Sequence, residues 1–191
     1  MSEKVSNSIA VVGAGTVIYK DEGIGVYAAR FLEKNYNFSK DITIVDGGVL
    51  GFQLMTYYTD YEKVIILDTI TMQDDEPGAI YNLPGEELLG LGSYKQTAHE
   101  VEIIEMLEIA ALNGNLSDVN IIGIIPEDII SVDISLSEKM IKSFPAFIEA
   151  SLQELKRSGV DYYKKDKQTP LEDIIREYAN PQSELKQVIG G

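Results

Sequence analysis

The chain has 191 residues, of which 45% are hydrophobic and 25% charged, and its formal net charge is −15. This length and composition predict one soluble globular domain with a sizeable core. The negative charge argues against a nucleic-acid partner, because the phosphates would be repelled. The chain has no cysteine and one histidine, which excludes disulfides, a cysteine peptidase and the His-Glu-x-x-His zinc motif.

The sequence carries no sign of a membrane span or of export. No apolar run approaches the roughly 20 residues needed to cross a bilayer. The first residues, Met1 to Ser6, lack the apolar core of a signal peptide. We therefore expect a cytoplasmic protein without membrane contact.

The first part of the chain alternates predicted strands and helices. An apolar run over 8–12 predicts a strand, and apolar residues at helical spacing predict a helix over about 23–35. A second strand at 42–45, a short helix over 50–58 and a third strand at 63–67 follow. The third strand is apolar throughout, which is typical of a parallel sheet covered on both faces.

The second part continues this alternation. The predicted elements are, in order, a short strand at 78–82, a helix opened by the capping box of Thr97 and Glu100, a strand at 119–125, and a helix capped by Ser135 or Ser137 that ends near Gly159. The alternation predicts an α/β domain over 1–160, built on a mostly parallel, twisted sheet of about five strands with helices on both faces.

The segment 161–191 differs in character and is predicted to be a polar connector followed by an appended helix. The connector covers 162–168. Thr169 then begins a second capping box, with Pro170 at the first helical position. The apolar face of this helix, with Leu171, Ile174 and Ile175, is expected to pack on the main domain, and docking of a partner is the alternative.

Two glycines and two acids follow the first strand. Gly13 and Gly15 predict a tight turn that leaves room for an incoming peptide, and Asp21 and Glu22 stand at the start of the next helix. A nucleotide-binding turn is an alternative. The third glycine of the dinucleotide fingerprint would fall at Ile18, however, so that motif is broken.

Glu22, Asp68 and His99 are candidate metal ligands. The carboxyl ends of neighbouring strands meet at one crevice in a doubly wound sheet. If the first and third strands are neighbours, Glu22 and Asp68 line that crevice, and His99 in the first turn of a later helix can reach it. Two carboxylates and one imidazole suit Zn or Ni. Each residue also has a structural interpretation, in which the acids complement a helix dipole or end a strand and the histidine binds nothing.

Six short motifs carry a family resemblance. In chain order they are Gly13-Ala-Gly-Thr16, Asp21-Glu-Gly-Ile-Gly25, Asp46-Gly-Gly48, Ile66-Leu-Asp68, Thr97-Ala-His-Glu-Val101 and Gly123-Ile-Ile-Pro126. As an ordered set, they resemble the nickel–iron hydrogenase maturation endopeptidases from about Ile9 to about Leu155. Thr16 and Ile125 depart from the asparagine and glutamine that are usual in that family.

The resemblance implies a three-layer α/β fold of the phosphorylase/hydrolase-like type and an endopeptidase activity. The substrate would be the precursor of the nickel–iron hydrogenase large subunit, which loses a C-terminal extension after nickel insertion. Glu22, Asp68 and His99 match the family's metal-binding positions, which are thought to recognise nickel already held by the substrate. No permanently bound cofactor is then expected, although Zn or Cd can occupy the site in vitro.

The resemblance also makes Asp46, with the two glycines after it, part of a motif important for processing. A carboxylate, Asp46 or Asp68, would act as the base in a metal-dependent hydrolysis. The expected partner is the large-subunit precursor, and the protein itself is expected to be a monomer. The alternative function is a nickel chaperone or sensor that uses the same three residues without peptidase activity.

Overall fold

The computed structural model describes residues 8–48, 54–72, 75–85 and 117–181, together with the single positions 87, 105, 108, 109 and 112. The strands are β1 (Ile9–Ala14), β2 (Tyr36–Phe38), β3 (Thr43–Gly48), β4 (Lys63–Thr69), β5 (Ile80–Pro84), β6 (Asp118–Ile124) and β7 (Tyr162–Lys164). The helices are a 3₁₀ turn (Lys20–Gly23), α1 (Ile24–Asn35), α2 (Leu54–Asp60), α3 (Glu138–Arg157) and α4 (Leu171–Ala179).

The main sheet has five strands in the order β3-β1-β4-β6-β5. All neighbours are parallel except the edge strand β5, which runs antiparallel to β6. This confirms the predicted mostly parallel sheet, and it makes the first and third predicted strands, β1 and β4, direct neighbours. The chain leaves β1 for β3 on one side and returns to β4 on the other. The carboxyl ends of β1 and β4 therefore flank a switch point, where open α/β sheets place their ligands.

Helices cover both faces of the sheet, as predicted. On one face, Ile65 and Leu67 of β4 join a core that includes buried residues of α1 and α3. On the other face, Val64 and Ile66 pack with Tyr58 of α2. The strict alternation along β4 shows which face each later residue of that strand points to. None of the described helices is long and apolar enough to cross a membrane.

Several predicted elements differ in their bounds or lie outside the described residues. The helix predicted over 50–58 is described as Leu54–Asp60, and the helix predicted to open at Thr97 lies outside the described part of the chain. Ser137 is confirmed as the cap of α3, since its hydroxyl accepts a hydrogen bond from the Met140 amide.

The predicted polar connector contains strand β7, which pairs with β2 in a separate two-stranded sheet. Neither strand was predicted from the sequence. The rings of Tyr36 and Tyr162 pack edge to face across this pair, with their centroids 5.9 Å apart. This contact joins positions far apart in the chain, so no local pattern indicates it.

The predicted capping box at Thr169 is wrong. Pro170 has an extended backbone at the cap position, and no side chain caps α4. The backbone of Thr169 is bound instead to the buried side chain of Asn35, which accepts from its amide at 2.6 Å and donates to its carbonyl at 3.0 Å. A buried amide that must be satisfied therefore decides how the chain enters α4.

Helix α4 packs on the main domain. Ile174 is fully buried in the same core as α1, with Leu171, Ile175 and Tyr178 packed against it. The ring of Tyr178 also meets Tyr27 of α1 edge to face, with the centroids 5.5 Å apart.

We expect Ile174→Ala to lower the free energy of unfolding by about 3 kcal/mol, because it leaves a cavity in this core. For a chain of this size the loss corresponds to roughly 6–12 °C in Tm. Thermal unfolding followed by circular dichroism measures it, with the exposed Glu172→Ala as control. A Tm within a degree of the wild type would contradict the packing of α4.

Candidate active site

The glycine turn after β1 brings the chain into close contact with itself. Gly15 has a φ of +106°, and a Cβ added there would lie 1.8 Å from the carbonyl oxygen of Glu22. A Cβ on Gly25 would lie 2.0 Å from the carbonyl oxygen of Leu67. The prediction that the glycines of this turn leave room for a peptide is wrong, because the chain's own backbone fills the space. Their function is to let the start of α1 lie directly against the sheet.

Asp68 lies at the carboxyl end of β4, beside this turn. It is 1% exposed, and its Oδ1 accepts a hydrogen bond of 2.8 Å from the amide of Thr69. The same Oδ1 lies 3.7 Å from the position that a Cβ on Gly15 would take, next to the Glu22 carbonyl. The structure therefore brings two of the three predicted ligands, Glu22 and Asp68, to the edge between β1 and β4.

The Glu22 side chain is half-buried, and burial raises the pKa of its carboxyl above the ordinary value of 4.5. Burial disfavours the charged form of an acid, whereas a bound cation would favour it. Glu22 is thus a carboxylate that gains from a positive charge arriving beside it.

His99, the third predicted ligand, lies outside the described residues. Over the part of the chain that the structure describes, no group of three or more potential ligands meets at one point. The complete three-residue set therefore stays a prediction.

Asp46, the other candidate base, leaves the sheet on the opposite face from Asp68. It borders a cavity of about 560 Å³ between α1, β3 and α4. Its Oδ2 accepts a hydrogen bond of 2.8 Å from the hydroxyl of Tyr178. Burial, and then the Asp46 carboxylate, raise the pKa of that phenol. Asp68 instead continues the row of Val64 and Ile66 on the α2 face. The two candidate bases therefore occupy different surroundings.

Tyr58 of α2 is a neighbour of the site that the sequence did not single out. Its side chain is fully buried, and burial, followed by the negative charge of Asp68, raises the pKa of its hydroxyl. Among the described residues, the hydroxyl has no hydrogen-bond partner. In the sequence it is one of several apolar positions of a helix, and no local signal marks it.

Asp21 stands just before α1, but its side chain does not cap that helix. It is fully buried, and its carboxylate accepts three backbone hydrogen bonds from the other side of the site. Oδ2 accepts from the amides of Glu127 and Asp128 at 3.1 and 2.9 Å, and Oδ1 accepts from the amide of Ser137 at 2.7 Å. Asp21 thus fixes the loop 127–137 against the turn that carries Glu22.

The matching family is that of the hydrogenase maturation proteases. Its model, described as "Hydrogenase maturation protease", matches residues 26–154, a range that includes Asp46, Asp68 and His99. The chain belongs to this family and is a maturation endopeptidase. The nucleotide-binding alternative is not supported, since the chain's own backbone fills the glycine turn.

Named relatives agree with this assignment. The hydrogenase 2 maturation protease of Escherichia coli is 29% identical over 154 residues, covering 80% of this chain and 93% of the relative. The hydrogenase expression/formation protein HupD of Rhizobium leguminosarum is 30% identical, covering 80% and 76%. The solved structure of the maturating endopeptidase HybD from E. coli superposes with a TM-score of 0.76 at 28% identity, over 83% of this chain and 98% of that one.

We expect Asp21→Asn to cost about 3 kcal/mol of unfolding free energy, because the amide cannot accept all three bonds and turns a donor toward other donors. The expected fall in Tm is roughly 6–12 °C. Asp161→Asn, an exposed acid on the surface, is the matched control. Differential scanning calorimetry decides, and equal Tm values for the two variants would show that the buried carboxylate is dispensable.

We expect Glu22→Gln to be slightly more stable than the wild type at neutral pH. The folded pKa of Glu22 lies above its ordinary value of 4.5, so the native state holds the proton more tightly and loses stability as the pH rises through that window. The variant lacks this loss. Its Tm should exceed the wild-type value by about 1–2 °C at pH 7, and the gain should vanish near pH 4. A gain that grows toward acid pH would contradict this assignment.

Proposed function

We propose that this endopeptidase removes the C-terminal extension from the precursor of the nickel–iron hydrogenase large subunit. We further propose that nickel already inserted in the precursor is the feature it recognises. The observation that carries the proposal is the position of Gly15 at the switch point of the sheet, beside both the backbone carbonyl of Glu22 and the Oδ1 of Asp68. Burial raises the pKa of the Glu22 carboxyl, and a cation arriving there would favour its ionised form.

The cation belongs to the substrate in this proposal, and it is cargo rather than a resident cofactor. Glu22 and Asp68 would offer oxygen ligands and His99 a nitrogen ligand, a set that suits a borderline ion such as nickel. Zn or Cd would fit the same set in vitro. Binding of the ion would favour the ionised form of Glu22, which burial disfavours. Precursor without nickel would lack this attraction and dock poorly.

The chemical step would be hydrolysis of one peptide bond by water. A carboxylate takes a proton from the water as the water oxygen bonds to the carbonyl carbon. The leaving amine then takes up a proton as the C–N bond breaks. Of the two candidate bases, Asp68 is better placed, because it lies beside Glu22. Asp46 is held by Tyr178 on the other face of the sheet. Asp46 would then affect processing indirectly, through its hydrogen bond to Tyr178 of α4.

A cleavage assay with nickel-loaded and nickel-free precursor tests the proposal. We expect wild-type protein to shorten the nickel-loaded precursor but not the nickel-free precursor, as measured by intact mass. Asp68→Asn and His99→Ala should each lower the rate about 100-fold or more, because each removes a group that binds the ion at the reaction site. Glu138→Gln, which changes an exposed acid on α3, is the control.

The same experiment separates the alternative function. A nickel chaperone or sensor would leave the precursor mass unchanged and move nickel to or from the protein, which metal analysis of the separated proteins detects. Equal cleavage of nickel-free and nickel-loaded precursor would contradict the proposed recognition of nickel but not the peptidase activity.

A further inference from the structure

Four large apolar side chains stand exposed next to the turn that carries Glu22. They are Ile18, Tyr19, Ile130 and Val132, with exposures of 48, 41, 86 and 76%, and we call them the apolar patch. Isolated exposed apolar residues are ordinary, but a cluster beside a site calls for a physical explanation.

The two halves of the patch are joined by backbone hydrogen bonds. The amide of Asp133 donates to the carbonyl of Ile18 at 3.0 Å, and the amide of Lys20 donates to the carbonyl of Asp133 at 3.0 Å. These bonds form a short parallel bridge at Tyr19 and Asp133. The segment before Glu22 and the loop 127–137 therefore lie side by side.

The loop is fixed from below by charged groups. Besides the three bonds to Asp21, the Lys20 ammonium lies 2.9 Å from the Asp128 carboxylate. Asp128 also accepts from the amides of Ile130 and Ser131 at 3.1 and 3.0 Å. Hydrogen bonds from Ser131, together with Lys20, hold the pKa of Asp128 well below its usual range. Asp128 is therefore ionised at neutral pH, and its bonds hold this part of the loop in place.

Because the loop that exposes Ile130 and Val132 is already fixed, a partner can bind it without spending free energy on ordering it. Ordering a mobile segment consumes binding free energy, whereas a preformed surface does not. The hydrogen bonds of the buried Asp21 carboxylate hold a loop that keeps Ile130 and Val132 exposed to water, and this exposure does not stabilise the fold. A preorganised contact surface, in contrast, requires such an arrangement.

The rim of the patch is acidic. Glu127 and Asp133 are exposed at its border. The positive charge of Lys20 is paired with Asp128. Together with the net charge of −15, this rim favours a partner segment whose apolar side chains are flanked by lysine or arginine. A second copy of this chain would bring the same acidic rim and is disfavoured.

We propose that the apolar patch is the docking surface for a segment of the hydrogenase large-subunit precursor that carries apolar side chains next to basic ones. The assignment rests on the proposed function. Its physical basis is continuity, because Ile18 and Tyr19 lead directly into the turn of Glu22. A precursor that engages Glu22 and Asp68 therefore meets the patch as well.

The test uses the full chain with Ile130→Ser and Val132→Ser combined. Both side chains are exposed, so folding should be unaffected. With nickel-loaded precursor, we expect KM to rise about 10-fold or more and kcat to stay within about two-fold, since the patch binds substrate without touching the reacting atoms. Tyr163→Ser is the matched control. It removes an exposed ring, 62% accessible, from β7, which pairs beyond the far end of α1.

Binding is measured separately in an Asp68→Asn background, where cleavage is slowed about 100-fold or more, and the double variant is compared with Asp68→Asn alone. Weaker precursor binding by the double variant supports the patch, even if wild-type protein fails to cut and the proposed function falls. Cleavage by wild-type protein with unchanged KM and unchanged binding in the double variant overturns the patch alone. Absence of any precursor binding to wild-type protein overturns both. A wild-type dimer that the double variant dissociates, seen by light scattering, would assign the patch to a second copy and overturn the proposal.

Discussion

The buried carboxylate of Asp21 is the interaction on which the rest of the site depends. It ties the turn before α1 to a loop more than a hundred residues further along the chain, through three backbone hydrogen bonds. A charge taken out of water is stable only where donors surround it. Satisfying this one group therefore fixes the turn that carries Glu22, the loop that carries the apolar patch and the entry into α3.

The glycines act on the same region by a different means. Contacts at Gly15 and Gly25 leave no room for a side chain, so the start of α1 lies against the ends of β1 and β4. This close approach places Glu22 beside Asp68, at the point where the sheet reverses its order. Backbone packing, and not an open cradle, brings together the two residues on which the proposed recognition of nickel depends.

The C-terminal segment extends this design beyond the matched part of the family. Residues 26–154 match the family model, whereas α4 follows at Leu171–Ala179. Through Ile174 it completes the core, and through Tyr178 it binds Asp46. Asp46 is thus hydrogen-bonded by a residue of α4, which lies outside the part of the chain that matches the family. The packing of α4 therefore affects the position of the Asp46 side chain.

The sequence by itself determined the alternation of elements, the largely parallel sheet and the placement of Asp68 at a strand end, because apolar periodicity is a local property. It also identified Glu22 and its glycine turn. Only the tertiary structure decided the function of Asp21 and the separation of Asp46 from Asp68. It likewise decided the pairing of β2 with β7 and the entry into α4 through Asn35. Each of these depends on hydrogen bonds or ring contacts between residues far apart in the chain, and no local pattern records them.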